Sequence, residues 1–188
     1  AISLIKNSKN PSSLTITGGT YSSNISEYLS DDLVQNTVGT VVEKTYVASI
    51  GDKKYETLKE AINESNDGDT IKVLSSLSLN KGLTLNKDIT IDLGGNTIES
   101  KGMLFDIYSK VTLKNGIFRG AEFAKAGATI WLNKKASLLV EKDATIDVAS
   151  NGTSSFDIGF WTDCDGASLD VKGTLKGENG ITVNGTIK

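Results

Sequence analysis

One short phrase recurs along this chain: alternating apolar and polar residues, a turn that carries glycine, and then further apolar residues. It occurs at residues 14–21, 111–118, 169–175 and 181–187. Alternation with a period of two indicates a half-buried strand, and its repetition indicates one structural unit that is stacked many times. The repeat therefore predicts an all-β solenoid of short strands, and it favours structural or scaffolding work over catalysis.

The spacing of the repeat is irregular. Ile91, Leu113, Val140 and Val171 are equivalent inward-facing positions in this interpretation, and they are separated by 22, 27 and 31 residues. Each interval is long enough for one coil of a parallel β-helix, with loops of different lengths leaving the stack. Helical repeats need long stretches of 3.6-residue period, which the chain lacks. We predict a right-handed parallel β-helix of about five coils, with a β-sandwich as the main alternative.

Composition excludes several classes of function. The 188 residues include no histidine, and the net charge is −3. Without histidine, serine–histidine–aspartate catalysis and histidine-bound zinc are both excluded. The basic residues are scattered and include a single arginine, Arg119, so we expect no nucleic-acid partner. No apolar run approaches the length of a membrane span, and we therefore expect no membrane insertion.

Three segments are predicted along the chain. Residues 1–30 form an end-cap segment of strands and a closing helix, residues 31–47 form an extended connector, and residues 48–188 form a cap helix followed by the coils. In the closing helix, Asn24 and Glu27 have the spacing of a capping box.

The predicted cap helix has a clear start. Thr57 and Glu60 again have capping-box spacing, and Leu58, Ala61 and Ile62 form an apolar stripe. An amphipathic helix just before the first coil would cover the open end of a β-helix, which a solenoid needs for solubility.

The stretch Ala48–Ser76, which holds this helix and the first strand, resembles the start of pectate-lyase-like right-handed parallel β-helix modules of Gram-positive bacterial surface proteins. The phrase at residues 18–29 resembles the way such modules end. The resemblance implies the β-helix fold and an extracellular or cell-surface location. It leaves the function open, because such modules occur in lyases, adhesins and stalks alike.

An end-like segment therefore precedes a beginning-like one, and the chain stops in mid-coil. We expect an exposed strand edge at the last coil, which something must cover. The predicted contact joins the strand at residues 14–21 and the helix at residues 25–31 to the coil at residues 181–187. The residues assigned to it are Leu14, Ile16, Tyr21, Tyr28, Leu29, Ile181, Val183 and Ile187.

Three arrangements stay open. The end-cap segment folds back onto its own last coil, or it caps the next copy by β-augmentation and builds a filament, or the chain is a piece of a longer β-helix or tandem array. In each case the predicted function is a non-catalytic structural module of a surface fibre, stalk or adhesin. Its partners are copies of itself or adjacent repeat modules.

Carbohydrate binding is the first alternative. Trp131 and Trp161 are predicted on successive coils, where outward-facing rings would stack on the sugars of a polysaccharide. Packing of these rings beneath a loop or against the connector is the structural explanation of the same residues.

A polysaccharide lyase is a further alternative, which the resemblance implies. Such lyases hold calcium with carboxylates and remove a proton with a basic residue, often arginine, for which Arg119 is the candidate. The candidate carboxylates are Asp157, Asp163, Asp165 and Asp170. Asp163 and Asp165 flank Cys164 in a weak calcium candidate that lacks a full calcium-loop pattern. Apart from it we expect no metal, and we expect no cofactor.

Overall fold

The computed structural model of the chain describes residues 15–121, 129–149, 157–162, 166–177 and 181–184. The chain divides into two compact units, Ala1–Thr45 and Tyr46–Lys188. We call the first the N-terminal unit and the second the solenoid.

The N-terminal unit has a small apolar core of its own. It contains a 3-10 helix, η1 (Ser26–Tyr28), and an antiparallel pair of strands, β1 (Leu33–Gln35) and β2 (Val41–Glu43). The buried residues of its core are Ile16, Ile25 and Val41, and Tyr21, Tyr28, Leu29 and Leu33 pack against them.

Local structure in this unit differs from the prediction at two places. The described part of the strand predicted at residues 14–21 forms two isolated bridges, Ile16 with Leu29 and Thr20 with Thr40. The helix predicted at residues 25–31 is the three-residue η1.

Asn24 does not form the predicted capping box. Its Oδ1 accepts hydrogen bonds from the backbone N–H of Ser26 at 2.9 Å and from the Ser26 hydroxyl at 2.8 Å. Such bonds between neighbouring residues compete with the start of a regular helix.

Gln35 ties β1 to the preceding segment. Its Nε2 donates to the carbonyl oxygens of Tyr21 and Ser23 at 3.0 Å and of Gly39 at 3.2 Å, and its Oε1 accepts from the backbone N–H of Ile25 at 3.1 Å. The segment predicted as an extended connector thus contains the β1–β2 pair, and the Gln35 amide adds to the bridge and the core contacts that join this pair to the residues before it.

The solenoid consists of one α-helix and a series of short strands in its described part. Its helix is α1 (Leu58–Glu64). Its strands are β3 (Ala48–Ile50), β4 (Lys53–Tyr55), β5 (Thr70–Val73), β6 (Leu77–Leu79), β7 (Leu83–Leu85), β8 (Ile89–Asp92), β9 (Thr97–Ser100), β10 (Phe105–Ile107), β11 (Lys110–Lys114), β12 (Gly116–Ala121), β13 (Ile130–Leu132), β14 (Ser137–Val140), β15 (Ala144–Ala149), β16 (Asp157–Thr162), β17 (Ser168–Val171), β18 (Thr174–Gly177) and β19 (Ile181–Asn184).

Strands β5–β19 form three parallel sheets. Sheet 1 holds β5, β8, β11, β14 and β17, sheet 2 holds β6, β9, β12, β15 and β18, and sheet 3 holds β7, β10, β13, β16 and β19. Each coil gives one strand to each sheet, so β5–β7 form coil 1 and β17–β19 form coil 5. The predicted all-β parallel β-helix is confirmed. Its right-handed sense stays a prediction, which the strong preference of strand crossovers favours.

The inward positions chosen from the sequence are aligned in sheet 1. Ile91 pairs in register with Leu113, Leu113 with Val140, and Val140 with Val171. The first three side chains are fully buried and Val171 is half-buried. Full burial of one such aliphatic side chain contributes about 1.5 to 3 kcal/mol. The irregular intervals in the sequence are therefore the lengths of successive coils.

The N-terminal end of the solenoid is covered by β3, β4 and α1. Strand β3 pairs antiparallel with both β4 and β5. The capping box predicted at the start of α1 is present: Thr57 Oγ1 accepts from the Glu60 backbone N–H at 3.1 Å, and the Glu60 carboxylate accepts from the Thr57 N–H at 3.2 Å. The apolar stripe of α1 is buried, as its spacing predicted.

Lys87, in the turn between β7 of coil 1 and β8 of coil 2, binds this cap. Its ammonium group donates to the carbonyl oxygens of Ile62 at 3.3 Å, Asn63 at 2.6 Å and Ser65 at 2.5 Å. These carbonyls end α1, where a cation also meets the negative end of the helix dipole.

Candidate functional site

Two columns of charged side chains run along the outside of the solenoid. The first ladder, beside sheet 1, consists of Lys72, Asp92, Lys114, Glu141 and Lys172, one residue from each coil. The second ladder, on sheet 2, consists of Glu99, Arg119, Asp147 and Lys176, one from each of coils 2 to 5. The sign of the charge alternates from coil to coil in both ladders.

The register of the first ladder follows from backbone pairing. Asp92 pairs with Lys72 on one side and with Lys114 on the other. Glu141 and Lys172 directly follow Val140 and Val171, which are themselves paired. Lys114 Nζ lies 3.3 Å from Asp92 Oδ2, and Lys172 Nζ lies 4.0 Å from Glu141 Oε1.

Asp92 is the most embedded carboxylate of the first ladder, with 14% of its side chain exposed. Burial pushes its pKa upwards, but three donors outweigh that effect: the Asn115 amide, the Gly94 backbone N–H and the Lys114 ammonium. The pKa of Asp92 is therefore held below its ordinary value. Asn115 Nδ2 donates at 2.8 Å and the Gly94 N–H at 3.0 Å, both to Oδ1.

The second ladder is centred on Asp147, which is 8% exposed. Arg119 donates to Asp147 Oδ2 from Nε at 2.9 Å and from Nη2 at 2.6 Å, and Lys176 Nζ lies 4.0 Å from the same oxygen. At the other end, the Ser78 hydroxyl of coil 1 donates to the Glu99 carboxylate. Side chains thus join coil 1 to coil 2, and coils 3, 4 and 5 to one another, along this face.

The two ladders agree in sign within each coil that contributes to both. Coils 2 and 4 are acidic at both positions, and coils 3 and 5 are basic at both. A slip by one coil would place like charges opposite each other in both ladders, which destabilises strand pairing. The ladders therefore specify which coil stacks on which.

Coil 5 forms the far end of all three sheets. Strands β17, β18 and β19 are each terminal in their sheet, and within the part of the chain that the structure describes no strand pairs with their outer side. Both ladders end here on exposed lysines: 53% of the Lys172 side chain and 68% of the Lys176 side chain are exposed. The edge thus offers backbone hydrogen-bonding groups beside two cations.

The apolar residues predicted for end-to-end contact fall into three groups. Ile16, Tyr21, Tyr28 and Leu29 come together in the core of the N-terminal unit. Ile181 and Val183 lie in β19, in register with Asp157 and Phe160 of β16. Leu14 and Ile187 lie outside the described residues.

The tryptophans predicted on successive coils occupy adjacent strands of sheet 3. Trp131 in β13 pairs in register with Trp161 in β16. Ile130 and Leu132 are fully buried, so the Trp131 side chain lies on the outer face, where it is half-buried. Neighbouring strands are about 4.8 Å apart, so the two backbone positions are close enough for one ligand.

The residues considered for lyase chemistry are spread over the solenoid. Arg119, the candidate base, is engaged by Asp147. Asp170 is exposed in β17 and pairs in register with Leu139, and Asp157 lies in β16. Asp163 and Asp165 lie outside the described residues. Among the residues that are described, no three acidic or cysteine side chains are arranged to hold a metal ion.

The charge ladders were missed in the sequence, although a signal exists. The residues that directly follow the inward positions Ile91, Leu113, Val140 and Val171 are Asp92, Lys114, Glu141 and Lys172. Their alternation in sign becomes meaningful once the inward positions are known to stack.

Two further findings bear on function. In the described ranges, no helix is long and apolar enough to cross a membrane. Compared with family models, curated proteins and solved structures, the chain matches none of them.

Proposed function

We propose that this chain is a non-catalytic structural module, a β-solenoid that extends into a fibre, stalk or adhesin when strands of a second copy add to the outer edge of coil 5. One observation carries the proposal: β3, β4 and α1 cover coil 1, whereas β17, β18 and β19 are the outermost strands of their sheets in the described part of the chain. Addition of strands to such an edge gains main-chain hydrogen bonds. A head-to-tail contact of this kind builds an open-ended assembly.

The proposed setting is extracellular or at a bacterial cell surface. It rests on the resemblance of residues 48–76 and 18–29 to pectate-lyase-like modules of Gram-positive surface proteins. The described residues support a mechanical role through the two ladders, which stiffen the stack by ion pairs between successive coils.

Val171 provides a sharp test of edge addition. The backbone N–H groups of Ser168 and Lys172 bond to the carbonyl oxygens of Ala136 and Val140 in the preceding coil. Because the bonds of a parallel strand alternate between its two sides, the N–H of Val171 points to the open edge. Proline at this position removes that donor and blocks a further strand, while the bonds to β14 remain.

The experiment is sedimentation velocity over a wide concentration range, with electron microscopy of any assemblies. Wild-type protein should form assemblies whose size grows with concentration. Val171→Pro should stay monomeric, whereas Val171→Ala, which loses the same apolar packing but keeps the N–H, should assemble as the wild type does. A wild-type chain that is monomeric throughout, or a proline variant that assembles normally, overturns the proposal.

Carbohydrate binding is a second candidate, which the register of Trp131 with Trp161 favours. The Trp131 ring on the outer face would stack on a sugar unit. Titration of soluble oligosaccharides against tryptophan fluorescence tests it: Trp131→Ala should abolish the response and Trp131→Phe should preserve binding measured by calorimetry. Equal affinity in the alanine variant counts against a sugar site on this face.

A further inference from the structure

We propose that Lys172 and Lys176 select the partner of coil 5 by forming ion pairs with carboxylates in the N-terminal unit of a second copy. This inference rests on the proposed function, because it names the partner of the same strand edge. It is carried by the alternation of charge in the two ladders.

The alternation predicts the sign of the charges that a sixth stacked layer would carry at the two ladder positions. Coil 3, the basic coil in the interior of the stack, meets an acidic residue at each of its ladder positions: Lys114 lies beside Asp92, and Arg119 beside Asp147. Coil 5 is basic at both positions and is matched on one side by Glu141 and Asp147. A partner that continues the same electrostatic pattern presents carboxylates to the other side.

The same rule excludes two partners. A second coil 5 presents lysines and no carboxylates at its own ladder positions, so it does not continue the alternation of charge. The opposite end of the solenoid is also basic: Ser49 in β3 pairs in register with Lys72 on one side and Lys54 on the other. That end is in addition covered by the cap, so direct stacking of two solenoids satisfies neither the charges nor the strand pairing.

The N-terminal unit has the required sign. Among its described residues, 15–45, it carries four carboxylates and one lysine. The carboxylates are Glu27, Asp31, Asp32 and Glu43. Three of them lie beside Tyr28 and Leu29, which the sequence analysis assigned to the same contact.

A carboxylate can pair with cations from two neighbouring layers at once. Asp147 shows the geometry: one of its oxygens lies 2.6 Å from Arg119 and 4.0 Å from Lys176. A carboxylate that already has one cationic partner can therefore take a second one from the neighbouring layer.

Two consequences follow from the exposure of the lysines. Charges that are open to solvent act over about 10 Å at 0.1 M salt and are screened at higher salt. Assembly should therefore weaken as the salt concentration rises. The lysines should affect the rate of association more than the rate of dissociation, since exposed charges mainly steer encounter.

The test measures the concentration at which half of the chain is assembled. Lys172→Gln with Lys176→Gln removes both charges and introduces no repulsion against Glu141 or Asp147. The matched control is Lys101→Gln with Lys142→Gln, two exposed lysines outside both ladders. We expect the half-assembly concentration to rise about tenfold in the ladder variant and less than about twofold in the control.

A second measurement uses the unaltered chain, so that it does not depend on the folding of a variant. Raising the salt from low to about 0.5 M should shift the wild type towards the behaviour of the ladder variant. If the wild type assembles but the ladder variant has the same half-assembly concentration, selection by the lysines is wrong. The same holds if wild-type assembly does not depend on salt. Either result leaves the proposed function standing. A wild-type chain that never assembles overturns both.

Discussion

Arg119 and Asp147 lie opposite each other on adjacent strands of sheet 2, and two nitrogens of the guanidinium donate to one carboxylate oxygen, at 2.9 and 2.6 Å. Lys176 of the next coil approaches the same oxygen at 4.0 Å. One nearly buried carboxylate thus joins three successive coils. Arg119, the candidate base of a lyase, thus holds the stack together.

Arg119→Met should destabilise the solenoid by about 1 to 3 kcal/mol, because it leaves the nearly buried Asp147 carboxylate with a single distant cation. The measurement is urea unfolding followed by circular dichroism. Asp147→Asn in the same background should recover part of the loss, since the uncompensated charge is gone. Equal stability of Arg119→Met and wild type would show that the pair contributes nothing.

Asp92 makes the stability depend on pH. Its pKa is lowered in the folded state, so the stability that it contributes is present above the unfolded value of about 4 and is lost as the pH falls through the folded value. Asp92→Asn should therefore be less stable than wild type at about pH 6. The difference should close at about pH 2. Unfolding midpoints across this range give the answer, and a difference that stays constant with pH would contradict it.

Lys87→Met should loosen the cap. The variant loses three bonds to the carbonyl oxygens at the end of α1, and we expect a loss of about 1 to 2 kcal/mol. Hydrogen exchange should rise first in the amides of α1. Lys81→Met removes an exposed lysine near the same helix and serves as the control. Unchanged protection of α1 in the Lys87 variant would mean that packing alone holds the cap.

Gly173→Ala should disturb the corner between β17 and β18. A Cβ at this position would collide with the carbonyl oxygens of Ala144 and Glu141 in the preceding coil. Steric overlap of this kind costs about 1 to 3 kcal/mol. Gly18→Ala, whose Cβ would have open space, should leave the thermal midpoint unchanged. If both variants melt alike, the corner has room to adjust.

Much of the fold was predictable because it depends on local pattern. Alternation identified Ile91, Leu113, Val140 and Val171 as inward positions, and backbone pairing aligns all four. The capping box of Thr57 and Glu60 located the start of α1 to the residue, because its two bonds join residues only three apart. The closing helix was predicted too long because the side-chain bonds of Asn24 compete with helical ones.

The contacts of the candidate site were harder to predict from the sequence than the fold. Arg119 and Asp147 are 28 residues apart, and the coils between the inward positions differ in length, so no fixed spacing links the two residues. The same holds for Trp131 and Trp161, whose backbone positions meet only through the pairing of β13 with β16. Which residues are paired in this way depends on the lengths of the loops between the strands.

By itself, the sequence determined the inward faces of the sheet 1 strands and the helix that covers coil 1, since period-two alternation and capping depend on residues close together in the chain. Tertiary structure alone decided which charges meet. Stacking brings residues from successive coils to within about 4.8 Å of each other, whatever the length of the loop between them. Scattered acidic and basic residues thereby become two alternating ladders, and the same stacking leaves Lys172 and Lys176 on coil 5, the outermost of the described coils.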